Sequence, residues 1–250
     1  MTQLENTRVV LCEPSHAGNI GAVARAMKTM GITSLALVNA KPDAHLAHDA
    51  VRRASRAVGV LEAAHLCTSL DQALTGVAFA VACSARRRDV AVPMLDAHAA
   101  VQKLATIAAA QPVALVFGNE TSGLSTEQAN RCQLLACIPT DAEFGSLNLG
   151  AAVQIMAYEL RMTVLAAMAS TADDPGARAE EPRELASHEE LEHLYAQLEQ
   201  DFLATGFMNP AMPGKLMPRL RRMFARAELD HEEVNILRGM VRTLRHPKTR

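Results

Sequence analysis

The chain has no tryptophan, and only two tyrosines and six phenylalanines among its 250 residues. So few aromatics argue against the stacking platforms on which common single-strand binders lay successive bases. Five cysteines (Cys12, Cys67, Cys83, Cys132 and Cys137) are scattered, odd in number and free of any C-x-x-C pair. They read as reduced, mostly buried small hydrophobes, neither a disulfide framework nor a zinc site, and no metal is expected. No uninterrupted apolar run approaches the roughly 20 residues of a membrane span. The start, Met1-Thr2-Gln3-Leu4-Glu5-Asn6, has neither the basic nor the apolar stretch of a signal peptide. These absences predict a soluble, cytoplasmic protein with no membrane partner. No G-x-G-x-x-G follows the first apolar run, which disfavours a nucleotide-dependent oxidoreductase.

Net charge is small as well, at −2, but it is unevenly spread. Residues 1–170 are balanced, with thirteen acids and thirteen bases. Thr171 to Asp201 holds ten acids against Arg178 and Arg183, and Phe202 to Arg250 holds ten bases against Glu228, Asp230, Glu232 and Glu233. An acidic spacer before a basic end suits either a nucleic-acid-facing module or a solvated helical surface.

What the chain does have is alternation. Arg8–Leu11, Leu35–Val38, Val77–Ala82, Val113–Phe117 and Leu134–Ile138 are continuous apolar runs, as expected of strands covered on both faces. Helical patterns lie between them at Gly21–Met30, Ala47–Ala57 and Ala97–Ala110. The fold class this predicts is α/β, a mostly parallel sheet flanked by helices. A long, small-residue-rich helix runs from about Leu147 to Ser170 and should be buried on most sides, by its own domain, a second subunit, or both. Linker composition follows, and helical periodicity returns from Ser187 with Leu191, Leu194, Tyr195, Leu198 and Phe202 on one face. The expected organisation is a domain at 1–170, an acidic linker at 171–186 and a helical extension at 187–250.

In such sheets, ligands bind where loops leave the carboxyl ends of the strands. Three such loops carry polar and glycine residues. Glu13 to Arg25 contains Asn19, Gly21 and Arg25, with Asn19 a plausible helix cap. Phe117-Gly118-Asn119-Glu120-Thr121-Ser122-Gly123-Leu124 brackets a polar loop with glycines, and Ser125 with Gln128 reads as a capping box. Ile138-Pro139 is followed by Gly145-Ser146-Leu147-Asn148-Leu149, where Ser146 and Asn148 could both cap a helix although one cap suffices. Taken singly, the first loop leans toward a structural turn, the second reads as a β–α turn about as readily as a ligand loop, and in the third the polar group not needed as a cap is free to bind a ligand.

Taken together, in this order and spacing, the three loops resemble the SPOUT class of RNA 2′-O-ribose methyltransferases. Asn19-x-Gly21-x-x-x-Arg25, Phe117-Gly118-Asn119-Glu120-x-x-Gly123-Leu124 and Ile138-Pro139…Ser146-Leu147-Asn148-Leu149 look like that class's three motifs. The likeness covers residues 8 to about 165. The phrases Ala22–Gly31, Leu203-Ala204-Thr205-Gly206-Phe207 and Asn235-Ile236-Leu237-Arg238-Gly239 are similar to the bacterial TrmJ group. Gly150 stands where many members of the class carry a second serine.

The resemblance implies a trefoil-knotted domain, a homodimer, and S-adenosyl-L-methionine as cofactor. It further implies methyl transfer to the ribose 2′-hydroxyl of cytidine or uridine 32 in the tRNA anticodon loop, with another tRNA position or ribosomal RNA as the alternative. Cys83, Ser84, Ala85, Gly118, Ile138, Gly145, Ser146 and Leu147 are the implied cofactor contacts. Arg25, Ser146 and Asn148 are the implied catalytic residues. Arg86 and Arg88, in a run of three arginines after a strand end, would contact RNA. So would Arg219, Arg222 and Arg226, which recur at helical spacing beside an apolar side formed by Leu216, Leu220, Met223 and Phe224.

Overall fold

A computed structural model of the protein describes residues 3–84, 92–141, 143, 145–173, 184–211 and 214–245, of which 170–173 and 244–245 are described by backbone alone. The implied cofactor contact Ala85 and the implied RNA contacts Arg86 and Arg88 lie outside the described residues. The order opens β1 (Thr7–Cys12), α1 (Ala17–Met30), β2 (Ser34–Val38), α2 (His48–Ala54), α3 (Val58–Glu62), β3 (His65–Cys67), α4 (Leu70–Ala73) and β4 (Phe79–Cys83). It continues β5 (Met94–Asp96), α5 (Ala97–Ala108), β6 (Val113–Phe117), α6 (Thr126–Asn130), β7 (Leu134–Cys137) and α7 (Leu149–Asp173). Three helices complete it: α8 (His188–Ala204), α9 (Leu216–Ala227) and α10 (His231–Arg245).

The strands form one sheet in the order β3-β2-β1-β6-β4-β7-β5, and every pairing is parallel. Continuous apolar strands follow from that, because each strand must supply side chains to two cores. Val9, Leu11, Leu35, Leu37, Leu115 and Phe117 face a core shared with α1, α5 and α7. Val10, Cys12, Ala36, Val38, Ala114 and Val116 face a second core under α4 and Leu124. The parity of the residue number decides the face, as the strand period of two requires.

Two strands carry too little signal to be read from sequence. β3 and β5 have three residues each, lie at the two sheet edges and are largely exposed. α1 begins at Ala17, four residues earlier than its apolar period suggests. α7 runs to Asp173, into the stretch read as linker, while Leu185 and Ala186 at the other end of that stretch are buried. Its Leu149–Ala169 portion is long and apolar enough, by length and composition alone, to cross a membrane, with mean hydropathy 1.2. Val153, Met156, Ala157 and Leu160 within it are nevertheless fully buried in the domain core. Away from that core, Tyr158, Met162, Leu165 and Met168 are exposed.

The C-terminal helices enclose a third core of Leu191, Leu194, Tyr195, Leu198 and Val234, with Met217 and Phe224 of α9 packed on it. Met223 points outward, 46% exposed, so the docking side of α9 is set by Met217 and Phe224 rather than by Met223. Contacts to the sheet domain are mostly polar. Gln111 exchanges two 2.8 Å hydrogen bonds with the Leu185 backbone, and His188 N–H donates to Val77 O. Buried His188 meets Asp71 at 2.9 Å. Arg131 bonds Asp71 at 3.2 Å and Glu192 at 2.6 Å, and Arg221 grips the same Glu192 while stacking on Tyr195. Asp71, His188 and Glu192 have ligand-type atoms within 4.8 Å of one another, but the Arg131 guanidinium already supplies the positive charge between the two carboxylates.

One contact decides how α2 sits on α1. A Cβ at Gly21 would lie 2.0 Å from Ala50 O and under 3 Å from two further backbone atoms. Replacing Gly21 by valine should therefore push the helices apart and lower stability by about 1–3 kcal/mol, seen as a reduced melting temperature by circular dichroism. Gly59→Ala, where nothing lies within 4 Å, should not lower it. Equal melts for both variants would show that the α1–α2 approach is soft.

Candidate functional site

β1, β6, β4 and β7 are neighbours at the centre of the sheet, so the loops leaving their carboxyl ends meet at one place. The loop after β6 is the tightest. Asn119 and Gly123 bridge across it, with Gly123 N–H donating to Asn119 O at 2.8 Å. A Cβ on Gly118 would lie 2.1 Å from the Gly123–Leu124 backbone, so only glycine lets the loop close on itself. Asn119 Oδ1 accepts from Thr121 N–H, and its Nδ2 donates to Glu13 O at 2.7 Å. Ser125 and Gln128 form the expected capping box at α6.

At the tip of this loop, Glu120 binds the loop entering α1. Its carboxylate accepts from Ser15 N–H at 2.8 Å, Ser15 Oγ at 2.7 Å, His16 N–H at 3.3 Å and Asn19 Nδ2 at 2.9 Å. Partial burial would raise the carboxyl's pKa, but the hydrogen bonds from Asn19, Ser15 and the backbone outweigh it and lower the value to about 2. Asn19 does not cap α1, since His16 holds that position and Asn19 lies in the first turn. Its Oδ1 instead accepts from Asn148 Nδ2 at 3.2 Å, and Asn148 Oδ1 accepts from Gly150 N–H at 2.9 Å. A single polar chain, Glu120–Asn19–Asn148, thus joins the loops after β6, β1 and β7. Glu120 and Ser15 were missed in the sequence as bearing a role. The available signal was a lone carboxylate between two turn glycines.

A cleft of about 350 Å³ opens beside this chain. Cys83, Ser84, Gly118, Ile138, Gly145, Ser146 and Leu147 all line it, joined by Glu120, Thr140 and Leu149. Burial pushes the Cys83 thiol far above its usual pKa, so that side chain is a neutral apolar wall and not a nucleophile. Asn148 and Arg25 are placed elsewhere. Asn148 acts as the cap of α7, and Arg25, exposed on α1, lines a second cleft of about 600 Å³ with Ala22, Gly150 and Gln154. The first turn of α7 separates the two clefts, with Leu149 and Ala152 on one side and Gly150 and Gln154 on the other. Gly150 suits that position because a Cβ there would press on Ala22 Cβ at 2.9 Å. On α9, Arg219, Arg222 and Arg226 are exposed, whereas Arg221 turns inward to Glu192.

The sequence model of the SpoU rRNA Methylase family matches residues 6–158, and that of the tRNA methyltransferase TrmJ C-terminal domain matches residues 189–250. The tRNA (cytidine/uridine-2′-O-)-methyltransferase TrmJ of Cronobacter sakazakii is 44% identical over 243 residues, covering 96% of each chain. The crystal structure of TrmJ from Z. mobilis superposes with a TM-score of 0.81 at 28% identity, covering 96% of this chain and 99% of that one. A SpoU methyltransferase of Streptomyces viridochromogenes, solved with AdoMet, shares the fold at 21% identity and a TM-score of 0.52, covering 63% of this chain and 60% of its own.

The Glu120 bonds carry a pH dependence with a definite sign. Because the folded pKa lies below that of an unfolded glutamate, near 4.3, the stabilisation is present above pH 5 and fades as pH falls toward about 2. Solvent access limits it to the order of 1 kcal/mol. Glu120→Gln should be less stable at pH 7 and should lose less stability than wild type between pH 5 and 2, as followed by thermal melts. Parallel acid limbs for the two proteins would show that Glu120 does not hold the loops.

Proposed function

The chain belongs to the SpoU methylase family, and we propose that it transfers a methyl group from S-adenosyl-L-methionine to the ribose 2′-hydroxyl of cytidine or uridine 32 in the tRNA anticodon loop. The observation that carries this reading is the polar chain Glu120–Asn19–Asn148, which sets a small-molecule cleft beside an arginine cleft across one turn of α7. A volume of about 350 Å³ lies within the range of small-ligand sites. The cleft fits the cofactor chemically as well, with apolar walls at Ile138, Leu147 and Leu149 and glycine-rich backbone at Gly118 and Gly145. When bound there, S-adenosyl-L-methionine supplies a methyl group carried on a positively charged sulfur.

A ribose hydroxyl is a poor nucleophile at neutral pH, so the protein must place it and favour its alkoxide. Arg25 is suited to the second task. Guanidinium is a very weak acid and serves poorly as a base, so Arg25 works by charge, gripping the ribose-phosphate side and stabilising negative charge as it develops. Water or an RNA phosphate takes the proton. Ser146, on the cofactor cleft, orients donor or substrate, and Asn148 fixes the start of α7 between the two clefts. Placement of the two reactants accounts for several kcal/mol of barrier reduction.

The TrmJ names of the relatives support tRNA as substrate, and the exposed row Arg219, Arg222 and Arg226 on α9 supports 187–250 as the module that grasps it. The domain at 1–170 and its connection at 171–186 belong to the same reading, as does a cytosolic location. Two further parts of the reading concern assembly. The exposed stripe Tyr158, Met162, Leu165 and Met168 supports a homodimer that covers α7. The interleaved strand order, with β6 between β1 and β4, and the return of α7 to the core suit a trefoil thread.

Nucleoside mass spectrometry on tRNA incubated with protein and cofactor should show a 2′-O-methylated pyrimidine at position 32. Methylation at another position or only in ribosomal RNA would replace this reading. Arg25→Ala should lower the transfer rate by at least about 100-fold while calorimetry with S-adenosylhomocysteine shows affinity within a few-fold of wild type. Lost cofactor binding would move Arg25 to the cofactor side. Replacing Arg219, Arg222 and Arg226 together by alanine should weaken tRNA binding and flatten its log–log salt dependence by roughly 2–3 units. An unchanged affinity and slope would make the module a structural cap.

A further inference from the structure

The cleft that holds Arg25 contains two more guanidinium groups that the proposed chemistry leaves unused. Arg52 and Arg53, both exposed on α2, line it together with Thr29, Gly150 and Gln154. Their presence there is a consequence of packing. Gly21 lets the Ala50 backbone touch α1, which brings α2 alongside Arg25. Gly18 makes room one turn earlier: a Cβ on it would lie 2.2 Å from Asp49 Oδ2 and 2.7 Å from Arg53 Nε. The two arginines are also held in place, because Asp49 bonds Arg52 Nη2 at 2.7 Å and Arg53 Nε at 3.4 Å. The hydrogen bond from Arg52, aided by the charge of both arginines, keeps the Asp49 carboxyl below its usual pKa and therefore ionised.

Three guanidiniums line the cleft and, among the described residues, no acidic one does, so that even with Asp49 bonded to the two α2 arginines from outside the lining an excess of positive charge remains. Like charges so placed repel one another, and a polyanion relieves that repulsion. Guanidinium forks match phosphate oxygens in pairs, which a dispersed solvated surface has no reason to provide. The same cleft ends at Gly150, whose amide is bonded by Asn148, so anything held there lies next to the polar chain that borders the cofactor cleft.

We propose that Arg52 and Arg53, braced by Asp49, form a second phosphate clamp that grips the RNA backbone beside the nucleotide addressed by Arg25. The proposal rests on the reading of this protein as an RNA ribose methyltransferase and names two positioning residues for it. Arg25 acts on the reacting ribose. The α2 pair holds a neighbouring phosphate and fixes where that ribose stands, so its contribution falls on the capture of RNA, not on the methyl-transfer step.

The test compares full-length wild type with Arg52→Gln/Arg53→Gln, Arg52→Lys/Arg53→Lys and Asp49→Asn, each assayed with unmodified tRNA. The glutamine pair should raise KM for tRNA about tenfold or more, flatten the salt dependence of binding by about one unit, and leave KM for S-adenosyl-L-methionine as in wild type. The lysine pair should restore the salt slope but only part of KM, because an ammonium keeps the charge and lacks the fork. Asp49→Asn should keep the slope and raise KM, since the charges remain while the brace is lost. If the glutamine pair keeps the wild-type KM and slope, the clamp does not exist. If its loss in KM is accompanied by dissociation of subunits in sedimentation, the arginines hold protein and not RNA, and the proposal also falls. Wild type that methylates no tRNA would refute the enzymatic reading itself, whereas an active wild type with an insensitive glutamine pair refutes the clamp alone.

Discussion

The Glu120 carboxylate receives three donors from the loop that leads into α1 and a fourth from Asn19 in its first turn, and the geometry of the whole site is anchored there. Loops at the carboxyl ends of parallel strands have no ladder partners of their own, so their amides need another acceptor. Here one side chain supplies it for Ser15 and His16. It then passes order outward through Asn19 to Asn148 and the first amides of α7. A carboxylate accepting several hydrogen bonds is held far more firmly than a neutral side chain, which explains why its pKa falls despite partial burial. The loop after β1 is thereby tied to two loops that lie 101 to 129 residues further along the chain.

Small residues do the complementary work on the helical side. Gly18 and Gly21 bring α2 against α1, and Gly150 brings α7 against Ala22. At each place a Cβ would meet atoms at 2.0–2.9 Å. Close helix approach places side chains from three elements in one cleft: Arg25 from α1, the α2 arginines, and Gln154 from α7. Gly150 lets α7 cross close to α1, because a Cβ there would lie 2.9 Å from Ala22 Cβ.

The sequence made the central strands legible, because Val9–Leu11, Leu35–Val38 and Val113–Phe117 bury both faces and must be apolar throughout. It hid β3 and β5 because three-residue edge strands bury little and leave no pattern. The three loops were legible as a combination, and the family follows from them, as the matches over residues 6–158 and 189–250 agree. The roles inside the loops were less so. Asn19 looks like a helix cap because caps and network residues are drawn from the same short polar side chains. Only the fold shows that His16 starts the helix and that Asn19 is one turn inside, bonded across the sheet. Met223 was misplaced for a related reason: on a short helix whose basic and apolar residues interleave, a rotation of one residue exchanges the docking face for the solvent face.

The junction between the sheet domain and the C-terminal helices follows a different physical rule from either core. Apart from Leu185, which is buried in the sheet domain's core, apolar burial falls in separate clusters on each side, while Glu192, Arg131, Arg221, Asp71 and His188 supply charged contacts between them, beside the backbone bonds of Leu185 and His188. Charged pairs of this kind are directional and contribute little net energy when part-solvated. They specify an orientation without the strong adhesion that a shared apolar core would give. The Glu192 carboxylate accepts from an arginine of each unit at once, Arg221 of α9 and Arg131 of the sheet domain, and so links α8 to both.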